Sequence, residues 1–314
     1  MNFIISPAPH IKEKYTVPMV MYIVIAALLP ATIAGIVFFG LQALALIILC
    51  VAAAVGTEFV CNKIMKKEQT ITDGSAALTG LLLALCLTPS MPPFAAFFGA
   101  VFAVAIGKQI FGGLGFNIFN PALIGRAFLA ATFPVQMTNW VAPFVYRGVE
   151  AVSSATPLAL MKFQHQSTPY SKLFFGGVSG SIGETSALLL LIPGILLALR
   201  GVINWRIPAS YLGTTAILGG LFWVIKPAIY PDPVFHLLAG GLMLGAFFMA
   251  TDLVTSPLTN KGMLIFGVGA GILVVIIRLF SGLPGGVMYS ILFMNAFVPL
   301  INKYTRPRIL GAKK

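Results

Sequence analysis

The stretch "VSSATP", residues 152–157, sets Ser153, Ser154 and Thr156 around Ala155, directly before Pro157, in a chain that is otherwise mostly fat-soluble. Side-chain hydroxyls at this spacing bond neighbouring backbone N–H groups, and proline suits the first turn of a helix, so a turn or a cap before "PLALMKF" accounts for the string. A hydroxyl is also a nucleophile, but only when a base or an outside enzyme activates it. No obvious base stands near in sequence.

Other reactive constellations are scarce. There is no Walker loop, no strand-bound G-x-G-x-x-G and no metal-ligand cluster, and the glycines of "FGGLGFN" are read as points of close backbone approach. Eight acids occur: Glu13, Glu58, Glu68, Asp73, Glu150, Glu184, Asp232 and Asp252. None is expected at the centre of a membrane span, and Glu58 is expected to reach water from a span end. His10, His165 and His236 are expected in loops or at span ends, solvated. Three cysteines, Cys50, Cys61 and Cys86, are too few for a four-thiolate cluster and are read as small buried hydrophobes. "GSIGETS", residues 180–186, is a candidate ligand contact: Gly180 and Gly183 permit close approach, and Glu184 with Thr185 resembles a helix start with free N–H groups.

These residues need a scaffold, and composition says which kind. The 314 residues are 58% hydrophobic and 9% charged, against about 25% charged in soluble domains. Apolar runs match the ~20 residues that cross a hydrocarbon core. An all-α integral membrane fold is predicted, with about ten spans at 17–38, 41–61, 74–89, 93–111, 120–134, 184–200, 207–225, 234–251, 262–280 and 286–302. No cleavable secretion signal is expected at "MNFIISPAPHIKEKYT". The net charge of +12 does not mark nucleic-acid binding, because the basic residues fall at span ends.

With the N-terminus in the cytoplasm, fifteen of the twenty Lys and Arg residues lie on that side, Lys108 and Arg126 among them. Arg147, Lys162, Lys172, Lys226 and Arg278 fall opposite. This positive-inside bias predicts both termini in the cytoplasm and the long loop 135–183 outside it. The loop divides a first five-helix repeat, residues 1–134, from a second within 184–314. Five spans per half make any similarity between them inverted. "LTGLLLALCLTPS" and "LGAFFMATDLVTS" supply it: short apolar runs closing on Thr, each followed by a longer run, a basic residue and a Gly-rich break. Ala76 to Thr88 is about 20 Å as a helix, too short to cross alone, and paired broken segments point to a midplane site.

The string "SSATPL" after a long extracytoplasmic loop resembles the flavinylation site of the family shared by the Rnf complex D subunit and the B subunit of the sodium-translocating NADH:quinone oxidoreductase. "SAALTGLLLALCLTPS", "KQIFGGLGFNIFNPALIGRAFL", "FPVQMT", "GSIGETS", "HLLAGGLMLGAFFMATDLVTSPLTNKG" and "YTRPRIL" resemble the same family, so the likeness spans nearly the whole chain. The N-terminal segment is shorter than is usual in the quinone-reductase branch, which favours the Rnf D branch.

The resemblance implies that Thr156 carries FMN through a phosphoester, attached by a flavin transferase, with Ser153, Ser154 and Ala155 leaving that enzyme room. It implies an electron-carrying subunit of an inner-membrane complex that couples ferredoxin:NAD⁺ electron transfer to Na⁺ or H⁺ movement. Its partners would be membrane iron–sulfur subunits, a second covalent-FMN subunit, and NAD- and ferredoxin-binding subunits. It also implies non-covalent riboflavin, expected around Thr88–Pro89 and Thr251–Asp252. A phosphodiester keeps one negative charge, so the attachment must lie outside hydrocarbon; Arg147, Lys162 or Lys172 are candidate counter-charges. Glu150-Ala151 departs from the Asp-Gly or Asp-Ala usual before the motif. A secondary transporter or channel fits inverted repeats equally well, and a purely structural anchor is the third reading.

Overall fold

The computed structural model describes residues 15–144 and 154–307. They form helices and connecting segments, with no strand among the described residues. In chain order the helices are α1 Val17–Phe39, α2 Leu41–Ile64, α3 Ser75–Leu85, α4 Pro93–Val104, α5 Pro121–Thr132, α6 Pro134–Thr138, α7 Pro157–Gln164, α8 Tyr170–Phe175, α9 Leu188–Leu199, α10 Arg206–Ile225, α11 Pro233–Leu238, α12 Leu242–Leu244, α13 Asn260–Phe280 and α14 Val287–Thr305. Single π-helical turns at Ala105–Gln109 and Gly245–Met249 extend α4 and α12.

Helix lies at every expected span, yet among the described residues four helices are long and apolar enough to cross a membrane by length and composition: α1, α2, α10 and α13. The segments 74–89 and 234–251, expected to be short or broken, are so. α3 stops at Leu85, ahead of Pro89, and the second segment is three short pieces interrupted at Ala239–Gly241. Elsewhere local chemistry sets the starts. Asn120 accepts from the Leu123 N–H at 3.3 Å, Asp232 from Phe235 at 2.9 Å and Thr259 from Gly262 at 3.0 Å, with proline in the first turn in the first two cases.

The bundle closes by small-residue contact. α2 packs on α3 and α4, α4 on α5, α10 on α13, α13 on α14, and α1 meets α9. A Cβ built on Gly80 of α3 would stand 2.6 Å from the Cys50 carbonyl oxygen and 2.7 Å from the Val51 Cα. Both are backbone atoms of α2 and cannot swing aside. Gly80→Ala is therefore expected to destabilise the detergent-solubilised subunit by about 1–3 kcal/mol. A denaturant titration checks this, and an unchanged midpoint would mean that α2 and α3 separate freely. Polar seams are few and directional: Asn295 of α14 accepts from the Asn120 N–H at 3.3 Å and donates to the Thr255 carbonyl at 2.9 Å.

Cys50 and Cys86 are core residues as expected, and Cys61 is half-buried. Three expectations about charge fail. Glu58 does not reach water: it is 0% exposed and accepts from Lys108 Nζ at 2.7 Å and Gln109 Nε2 at 3.1 Å. Lys108 is not a solvated span end, since Ser75 Oγ at 2.5 Å completes its buried coordination. His236 is buried and His165 exposed, while His10 lies outside the described residues. Sequence position suggested helix ends for these groups. The π turn and the short helices instead draw those ends into the bundle, where partners from other elements replace water.

Candidate functional site

Thr156 is the N-cap of α7, its Oγ1 accepting from the Ala159 N–H at 3.2 Å, with Pro157 in the first turn. The cap reading of the string is correct. The same half-buried hydroxyl also lines a cleft whose empty space, open mouth included, is about 1070 Å³. Its walls combine apolar Leu158, Leu173, Val178 and Leu238 with Trp140 and Tyr289, and three charged side chains, Arg126, Glu184 and Arg278.

Two arrangements hold the loop against the bundle. Ser154 donates its N–H to the Trp140 carbonyl at 2.9 Å and shares a hydrogen bond with Ser179 Oγ at 2.6 Å. Lys162 Nζ donates to the carbonyls of Arg278, Ser281 and Leu283, tying α7 to the end of α13. Lys162 is thus spent as a strap and is no counter-charge for a phosphate at Thr156; desolvation in this contact holds its ammonium below the usual lysine range. Lys172 is exposed, and Arg147, Ser153 and Glu150-Ala151 lie outside the described residues. Ala155 is exposed, which leaves the approach to Thr156 open on that side.

"GSIGETS" does meet the cleft, though not as a helix start. α9 begins at Leu188, and Glu184–Thr185 form a turn before it. Gly180 and Glu184 line the cleft. Gly183 does something else: its N–H donates to the Leu85 carbonyl at 2.8 Å, and a Cβ there would press on Leu85, so it caps the broken end of α3. Thr185 is buried and does not line the cleft.

The charged pair deepest in the cleft was not legible as such. Arg278 is only 4% exposed and donates through Nη1 to the His236 carbonyl at 2.6 Å and through Nη2 to the Ala239 carbonyl at 2.9 Å. These carbonyls are freed where α11 ends, so the guanidinium closes the helix break. Arg126 of α5 stands 3.8 Å from Glu184. The signal was available, because an arginine within an apolar span is functional by default. Assigning both residues to span ends hid it.

A second cavity, about 710 Å³ with its opening, lies between α1, α3 and the two π turns. Asn117, Asn120, Thr251, Asp252, Ser75 and Lys108 give it polar edges, and Phe247 and Phe248 an apolar wall. Of the two broken segments expected there, only Thr251–Asp252 lines it. Thr88 donates instead to the Asn139 carbonyl at 2.7 Å, securing the tip of α3 to the loop.

Residues 4–311 match the model of the NQR2, RnfD, RnfE family. The chain is 48% identical over 322 residues to the D subunit of a proton-translocating ferredoxin:NAD⁺ oxidoreductase complex of Clostridium ljungdahlii, covering 99% of this chain and 97% of that one. It is 48% identical over 320 residues to the D subunit of the Na⁺-translocating ferredoxin:NAD⁺ oxidoreductase complex of Acetobacterium woodii, covering 100% and 97%. The D subunit of an ion-translocating oxidoreductase complex of Cronobacter sakazakii is 38% identical over 348 residues, covering 99% of both chains. On the match along nearly its whole length, the chain belongs to the NQR2, RnfD, RnfE family.

Proposed function

We propose that this chain is an integral membrane electron-transfer subunit that carries FMN as a phosphoester on Thr156. It would work within an inner-membrane complex that couples ferredoxin:NAD⁺ electron transfer to Na⁺ or H⁺ translocation. The observation that carries this reading is the place of Thr156: a half-buried hydroxyl that lines a cleft with aromatic, apolar and cationic walls. Membership of a family whose relatives are subunits of such complexes supports it.

The residues present fit the group. Trp140 and Tyr289 offer aromatic surface, and Leu158, Leu173, Val178 and Leu238 an apolar wall. The N-terminus of α7 presents N–H groups toward a phosphate bonded at its own cap. When bound, the flavin supplies one- or two-electron redox chemistry; the chain's part is to hold it, orient it and exclude water. No base is needed beside Thr156, because a flavin transferase supplies the activation. Loop 135–183 lies outside the cytoplasm in this reading, both termini inside, and the two halves form inverted five-helix repeats. The cavity edged by Asn117, Asn120, Thr251, Asp252 and Lys108 is where this reading puts non-covalent riboflavin, whose hydroxyls suit polar edges and whose ring suits the Phe247–Phe248 wall.

Mass spectrometry of the intact chain, purified with its transferase, tests the central claim. An added FMN mass is expected, with ultraviolet-excited fluorescence on a denaturing gel. A bare chain from flavin-replete cells overturns it.

A further inference from the structure

We propose that Arg126 and Arg278 form the electrostatic seat of the flavin ring, with Glu184 setting how much of their charge the ring feels, so that the cleft favours the reduced, anionic flavin. This rests on the reading that a flavin is joined at Thr156.

Among the described residues lining the cleft, two guanidiniums face one carboxylate. One positive charge is left over beside apolar Leu158, Leu173, Val178 and Leu238, and such a charge is costly without an anion to balance it. Arg278 does not reach solvent, and Arg126 reaches it only in part. Arg278 is locked by the His236 and Ala239 carbonyls, and its buried Nε has no partner among the described residues. Arg126 is 19% exposed at its side chain, and its 3.8 Å separation from Glu184 exceeds the 2.7–2.9 Å of a tight charge-assisted hydrogen bond. Its donors are therefore not consumed by that pair. Glu184 in turn is wedged against Gly241, where an added Cβ would overlap its carboxylate. Arg278 and Glu184 are thus held in place before any ligand arrives, and the donors of Arg126 remain available.

The ring, and not the phosphate, is the anion they await. The ester sits at the cap of α7, where the helix dipole already favours negative charge. The ribityl spacer carries the ring away from that cap, into the cleft that Arg126 and Arg278 line. Reduction of the neutral ring by two electrons, drawn from a low-potential iron–sulfur donor, with one proton bound at N5, leaves one negative charge over N1 and C2=O. A fixed positive surplus stabilises this product more than the neutral oxidised ring, as a nearby opposite charge favours the ionised form of any group.

The test uses the full chain, flavinylated by its transferase, purified in detergent and titrated with dithionite against redox dyes. Arg126→Gln should weaken the preference for the reduced form about tenfold, a fall of about 30 mV for a two-electron couple. Arg126→Lys should restore most of it. Glu184→Gln should shift the midpoint the opposite way, since it removes the balancing charge. Unchanged midpoints, or shifts of the same sign in Arg126→Gln and Glu184→Gln, overturn the proposal while the gel fluorescence keeps Thr156 intact as the attachment point. Loss of covalent flavin in Arg126→Gln alone would assign that arginine to attachment and overturn it as well. A wild-type chain without fluorescence overturns both this inference and the reading beneath it.

Discussion

Lys108→Ala is expected to destabilise the folded subunit by about 3–5 kcal/mol, because it strands the Glu58 carboxylate in the bundle without its cation. Glu58 is fully buried, its Oε1 accepts from Lys108, Gln109 and Thr70, and its Oε2 has no partner among the described residues. The energy lies in the broken pair and not in the intact one, for an intact buried pair roughly balances desolvation against attraction. The double variant Glu58→Leu with Lys108→Met should therefore recover most of the loss. A denaturant titration of the three proteins in one detergent measures both numbers. A cost below about 1 kcal/mol for Lys108→Ala would mean that the pair is hydrated and behaves as a surface bridge.

Thr156→Ala is expected to abolish covalent flavin entirely, with Thr156→Ser keeping it. The alanine also removes the cap of α7, a loss of about 1 kcal/mol, too small to unfold a segment that Lys162 and Ser154 tie down from either side. Gel fluorescence should vanish while the elution volume of the complex stays the same and fluorescence on any other flavin-bearing subunit persists. Flavin remaining on this chain after Thr156→Ala would move the attachment elsewhere. A collapsed elution profile would instead show that the cap matters more to the fold than its hydrogen bond suggests.

Several features were legible before any coordinates. The all-helical fold follows from long apolar runs, the breaks near Pro89 and Thr251–Asp252 from Gly, Thr and Pro at the ends of short runs, and the cap at Thr156 from a hydroxyl residue set directly before Pro157. "GSIGETS" is no helix start, since α9 starts later at Leu188, and only its Gly180 and Glu184 line the cleft. The buried charges were misplaced. Lys108 and Arg278 end apolar runs, and run ends usually reach water. Here a π turn carries Lys108 inward, and freed carbonyls on α11 hold Arg278.

The sequence by itself determined the periodic and local features: which stretches are apolar enough to become helix, where proline, glycine and capping oxygens stop them, and which hydroxyl stands before a helix. These follow from forces between residues within a turn or two of each other. Only the tertiary structure decided that Arg126, Glu184 and Arg278 share a cleft with Thr156, that Lys162 is a strap, and that Glu58 meets Lys108. Those pairings join residues far apart along the chain, and their energies depend on desolvation, a property of the packed bundle that no short window of residues carries.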